Sequence, residues 1–96
     1  MPWWSRHVPQ VEMLSRPGCH LCDEMLQVLQ GQRLEVTVRD IDAERVAGAM
    51  SEAEHARWST EVPVLLMDGE AVARWRTDAG EVRAALAARR GAARRR

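Results

Sequence analysis

Two cysteines with two residues between them, Cys19 and Cys22, stand where the hydrophobic pattern changes from strand to helix, and they are the only cysteines in the 96 residues. Ahead of them, Val11, Glu12, Met13 and Leu14 predict a short apolar strand, closed by the turn-forming Pro17 and Gly18. Beyond them, Cys22, Met25, Leu26 and Leu29 recur at i, i+3, i+4 and i+7, one apolar face of a helix. Gly31, after Gln30, predicts a left-handed stop. Cys22 is therefore expected to point inward, with Cys19 at or near the N-cap, where the chain is still exposed.

That placement carries chemistry. The first backbone N–H groups of a helix have no internal partner and can donate to a thiolate at the cap. Cys19 is thus expected to be the acidic, reactive thiol, since cysteines in such pairs have pKa values of about 3.5 to 7.5 against about 8.5 for a free thiol. Attack on a disulfide would leave a mixed disulfide on Cys19, and Cys22, one helical turn on, would displace the product and close an intramolecular disulfide. Nearby charges pull both ways: a protonated His20 favours the thiolate, whereas Asp23 and Glu24 oppose it. Two other readings of the pair stay open. It could be half of a zinc site, but His7, His20 and His55 are the only histidines and no second cysteine pair exists, so no metal ligand is assigned. It could also be two inert cysteines of a small core.

Length allows one small domain with a modest core that needs no structural disulfide. No run approaches the roughly 18 apolar residues of a membrane span, and the first seven residues lack the apolar stretch of a secretory signal. The expectation is a cytoplasmic protein without a membrane partner, in a compartment that suits a cycling dithiol. All 14 basic residues are arginines, and Arg89, Arg90, Arg94, Arg95 and Arg96 crowd the last eight positions, which leaves the body acidic. This basic tail, residues 89–96, has no aromatic residue to stack on bases, so it reads as a solvated helix end and not as a nucleic-acid site. Residues 1–9 read as an N-terminal extension and 10–88 as the domain.

The remaining elements follow from pattern. Leu34, Val36 and Val38 alternate with Glu35, Thr37 and Arg39, predicting a half-buried second strand. From about Ala43 to Trp58 the chain looks helical, with Val46, Ala47, Met50, Ala53 and Trp58 facing inward, and Ser51 with Glu54 has capping-box spacing that would break it in two. Val62 to Met67 suits a buried central strand, and Asp68 with Gly69 predicts a two-residue hairpin turn into Ala71, Val72 and Trp75. Asp78 with Glu81 caps a last helix carrying Val82, Ala85 and Leu86. The order is β-α-β-α-β-β-α. Its right-handed parallel crossover puts Cys19 at the carboxyl end of the first strand, where sites of open α/β sheets lie.

Ser15, Arg16, Pro17, Gly18, Cys19, His20, Leu21 and Cys22 together resemble the motif of small bacterial glutaredoxin-like proteins, a branch of the thioredoxin fold, and the resemblance extends over roughly residues 10 to 88. It implies a thioredoxin-like three-layer α/β/α fold with a four-stranded mixed sheet. It implies a thiol-disulfide oxidoreductase in which Cys19 is the nucleophile and Cys22 the resolver. Arg16 falls where glutaredoxins hold a basic residue for a glutathione carboxylate. Val62 and Pro63 fall at the family's cis proline, where the N–H and C=O of Val62 would turn outward to pair with a thiol peptide. Thr77 and Asp78 match the end of the segment that grips the γ-glutamyl group. Each position also has a plainer account: Arg16 as a surface residue, Pro63 as a trans proline opening a strand, Asp78 as an ordinary N-cap.

The chain departs from the family in having His20 and Leu21 in place of proline and an aromatic residue, and Arg74 and Trp75 where a glycine pair is usual. The resemblance implies no tightly bound cofactor, glutathione as a co-substrate, and as partners a disulfide-containing protein or glutathione with a thiol reductant system. The same cysteines could instead serve a metal or iron-sulfur carrier completed by a second chain or added thiols. A redox-inert interaction module on this fold is the third reading.

Overall fold

The computed structural model describes residues 8–94. Residues 1–7 of the expected extension, and Arg95 and Arg96, lie outside them. Eight elements follow in order: β1 (Val11–Ser15), α1 (His20–Gly31), β2 (Val36–Asp40), α2 (Ile41–Val46), α3 (Glu52–Ser59), β3 (Val64–Met67), β4 (Glu70–Arg74) and α4 (Ala79–Arg94). The four strands form one mixed sheet in the order β2-β1-β3-β4. β1 runs parallel to β2 and antiparallel to β3, and β4 returns antiparallel to β3.

Alternation along the strands divides the core between the two faces of the sheet. Val11, Met13, Leu65 and Met67 point to one face, where they meet Cys22, Met25 and Leu29 of α1 and Val82 and Leu86 of α4. Leu14, Val64 and Leu66 point to the other, against Ile41, Met50 and a half-buried Trp58. All four residues of β3 are buried, as a central strand covered on both faces requires. Asp68 (φ 52°) and Gly69 (φ 84°) form the two-residue turn between β3 and β4, both left-handed as the twist of a tight hairpin demands.

Several boundaries differ from the sequence expectation. α1 does not stop at a left-handed Gly31; it includes that residue, and the reversal comes at Arg33 (φ 57°), because the chain must next turn Leu34 against the core. Leu34 lies outside β2, and Val38, in the middle of that strand, is exposed, as an edge strand with a neighbour on one side only allows. The segment expected from Ala43 to Trp58 starts earlier, at a fully buried Ile41 capped by Asp40, whose carboxylate accepts from the N–H groups of Asp42 and Ala43. As the Ser51–Glu54 spacing predicts, it breaks, after Val46, and restarts at that capping box, in which both reciprocal hydrogen bonds are made. The break, with Gly48 at φ 77°, turns the second helix, so Val46, Ala47 and Ala53 face solvent while Met50 and His55 go inside. α4 continues through the start of the expected tail. Arg89 there is fastened to Asp68 (3.2 Å) and Glu70 (3.0 Å) at the hairpin, not solvated.

Candidate functional site

β1 ends at Ser15, and Arg16, Pro17 and a left-handed Gly18 (φ 71°) lead from it into α1. Cys19 is the N-cap of that helix, with an extended backbone (φ −90°, ψ 106°). Its sulfur accepts the backbone N–H of Cys22 at 3.2 Å, so a donor with no carbonyl partner inside the helix is aimed at the residue expected to carry negative charge. Cys19 is half-buried and Cys22 is 2 % exposed, packed with Met25 and Leu29. The two are joined in a disulfide, with Cα atoms 5.2 Å apart. His20 is a solvated residue of the first turn, 88 % exposed and 4.0 Å from Glu24.

The register of the sheet decides what lies beside the cysteines. Leu14 pairs with Val64, and Val64 with Arg74, so the next residues outward, Ser15, Pro63 and Trp75, share one end of the sheet. The Val62–Pro63 peptide bond is cis. Val62 does not turn both of its polar groups outward: its N–H donates to the Trp58 carbonyl at 3.0 Å, satisfying the C-terminal end of α3. Of the two, only the carbonyl is left for an incoming strand. Trp75 sits in the left-handed region (φ 65°), where a bulky residue is uncommon. Its backbone N–H donates to Pro63 O (2.8 Å) and its indole N–H to Thr60 O (3.1 Å), yet the residue is 52 % exposed.

Trp75, Arg76 and Thr77 border an open groove of about 490 Å³, whose other wall is Glu24, Met25, Gln27 and Val28 of α1. The Thr77 hydroxyl is buried without a hydrogen-bond partner. Asp78 is the cap of α4, its carboxylate accepting the Glu81 N–H at 2.8 Å. Thr77 and Asp78 are thus brought to the same end of the sheet as the cysteine pair.

Arg16 is already engaged within the protein. Its guanidinium donates to both Asp42 oxygens (2.9 and 3.4 Å) and to the Ser59 carbonyl (3.4 Å). Asp42 also receives His55 Nε2 at 2.7 Å, and the Ser59 hydroxyl lies 3.4 Å from His55 Nδ1. The hydrogen bond from Arg16, and then that from His55, hold the Asp42 carboxyl down at about 2. The cation nearest Cys19 in sequence is therefore neutralised by a neighbour, and it ties the Cys19 loop to α2 and α3. Among the described residues no group of three or more His, Cys, Asp and Glu side chains is gathered to hold a metal ion.

A family model for the glutaredoxin-like domain (DUF836) matches residues 10–87. The chain belongs to this family. Proteins of Mycobacterium bovis and Mycobacterium tuberculosis, themselves described as uncharacterized, are each 31 % identical to it over 81 residues, 82 % of this chain and 84 % of theirs. A structural-genomics target protein from X. campestris, solved by X-ray, superposes with a TM-score of 0.64 at 28 % identity, over 81 % of this chain and 96 % of that one. The sheet and its flanking helices are thus a thioredoxin-like fold, and the glutaredoxin-like chain carries its Cys-X-X-Cys pair where the first strand gives way to the first helix.

His55 is the site residue that sequence reasoning missed. The inward positions expected along the segment do not include it, and it is the second helix, starting at the Ser51 cap, that carries it towards Asp42. The usable signal was its spacing of four from Ser59, which puts the two on one face of a helix.

Proposed function

We propose that this glutaredoxin-like protein is a thiol-disulfide oxidoreductase. In the reduced form the Cys19 thiolate attacks one sulfur of a substrate disulfide; a bond forms between Cys19 and that sulfur, and the other substrate sulfur leaves as a thiolate and takes a proton from solvent. Cys22, deprotonated, then attacks Cys19 Sγ, the substrate's second sulfur departs, and the Cys19–Cys22 disulfide remains. Two electrons have passed to the substrate, and an external thiol reductant returns them. The observation that carries this reading is the Cys22 N–H donated to the Cys19 sulfur at the helix cap, with Cys22 one turn behind at bonding distance. The helix terminus favours the anion in attack and in departure alike.

The reaction draws on no resident cofactor, and a reducing compartment such as the cytoplasm suits it. Among the described residues no helix is long and apolar enough to cross a membrane. Glutathione is a co-substrate by family resemblance, with Thr77 at the groove and the neighbouring Asp78 of the α4 cap as its contacts, while Arg16 is held by Asp42 and contributes position, not a free charge. A Cys22→Ser variant incubated with oxidised glutathione and with protein disulfides accumulates a mixed disulfide on Cys19, seen as added mass that dithiothreitol removes, and Cys19→Ser accumulates none. No adduct on a Cys19 that alkylates readily would overturn the proposal.

A further inference from the structure

Neither backbone preference nor burial accounts for Trp75. Its φ of 65° belongs to the region glycine enters freely and a large side chain rarely occupies, so the backbone alone favours glycine here. Core packing does not explain the tryptophan either, because it belongs to neither apolar cluster and half of it faces solvent. It is nevertheless held in place at both ends, through its backbone N–H to Pro63 and its indole N–H to Thr60. A strained, pinned and exposed aromatic ring is what a recognition surface requires, since the orientation is fixed before a ligand arrives.

On the reading that Cys19 exchanges disulfides, we propose that the exposed face of Trp75 is a specificity platform, taking an apolar side chain of a peptide substrate two or three residues from its reacting cysteine. The spacing comes from the sheet. Trp75 stands two strands away from the end of β1, across Pro63, which is about 10 Å. An extended peptide advances about 3.3 Å per residue, so a substrate chain lying over Pro63 across this end of the sheet spans those two strand spacings in about three residues. The charges beside the ring set the rest of the preference. Arg74 is neutralised by Glu61 at 2.6 Å, but Arg76 is exposed and pairs with no side chain among the described residues, so a basic residue is repelled and an acidic one tolerated. Glutathione has no apolar side chain apart from its reacting cysteine, so the platform favours protein disulfides over it.

Two peptide disulfides test this, differing only in leucine or serine three residues from the cysteine, with kcat/KM measured for each. Wild type is expected to favour the leucine peptide about tenfold. Trp75→Gly, which removes the ring and the backbone strain together, brings that ratio near one without lowering Tm as loss of a core residue would, and Trp75→Phe restores most of the preference. A ratio near one in wild type overturns the inference while leaving the exchange reaction standing, as does a preference that survives Trp75→Gly. If wild type reduces neither peptide nor any small disulfide, the oxidoreductase reading fails and the platform with it.

Discussion

The two faces of the sheet are built on different principles. On the face of α1 and α4, nine buried residues from two helices and two central strands form one apolar cluster, and Cys22 is part of it. On the face of α2 and α3 the buried apolar cluster has only five members, and the space around it is organised by polar contacts: Arg16, Asp42, His55 and Ser59 in one network, Arg39 with Glu44 and Glu12 in another. The first face fixes Cys22 by close packing, which has little pH dependence. The second fixes the loop before Cys19 by ion pairing, which depends on charge. Half of the cysteine pair is therefore held by hydrophobic burial, and the approach to the other half by electrostatics.

Leu29→Ala, a truncation at a fully buried position under α1, should be the most damaging test of that contrast, with a loss of about 2–5 kcal/mol in denaturant unfolding. A much smaller loss would mean the α1 face is not closely packed. Next comes the helix that carries His55. Ser51→Ala removes the acceptor of the Glu54 N–H and one half of the capping box, and about 0.5–2 kcal/mol should follow.

Asp42→Asn is expected to lower Tm less than these at neutral pH, because its side chain is 38 % exposed and the pairing is screened by solvent. Its mark lies in the acid range. Asp42 has its carboxyl depressed from an ordinary 3.8 to about 2, so its stabilisation is present in full above about pH 4 and is lost as pH falls through 2. Urea midpoints measured from pH 5 to pH 2 should fall more steeply in wild type than in Asp42→Asn; parallel curves would show that the network does not hold that face. Smallest of all is Val46→Ala, at a residue 83 % exposed, which should change stability by less than about 0.5 kcal/mol. A larger effect would place Val46 in a contact outside the described residues.

Much of the site was legible before any coordinates. Cys19 at the cap, Cys22 inside, the hairpin at Asp68 and Gly69, the cap at Asp78 and the box at Ser51 are all local statements, fixed by spacing and by the needs of unpaired helix ends and tight turns. The misjudged positions share a different cause. Val38 and Val46 are apolar residues at plausible periods, yet one lies at a sheet edge and the other just before a helix break, and burial there depends on what the rest of the chain covers. Arg16 reads as a free cation because its partner Asp42 is 26 residues away, and His55 reads as a bystander for the same reason.

By itself the sequence determined the Cys-X-X-Cys pair, its position at a strand-to-helix junction, and the order of elements, because hydrophobic period and capping chemistry act within a few residues. The tertiary structure alone decided which charges reach one another and which aromatic ring stays in solvent. The Asp68–Gly69 turn sets Val64 beside Arg74 locally, but the pairing of Val64 with Leu14 is what brings Ser15, Pro63 and Trp75 to one end of the sheet, and no local rule encodes a register between segments 50 residues apart.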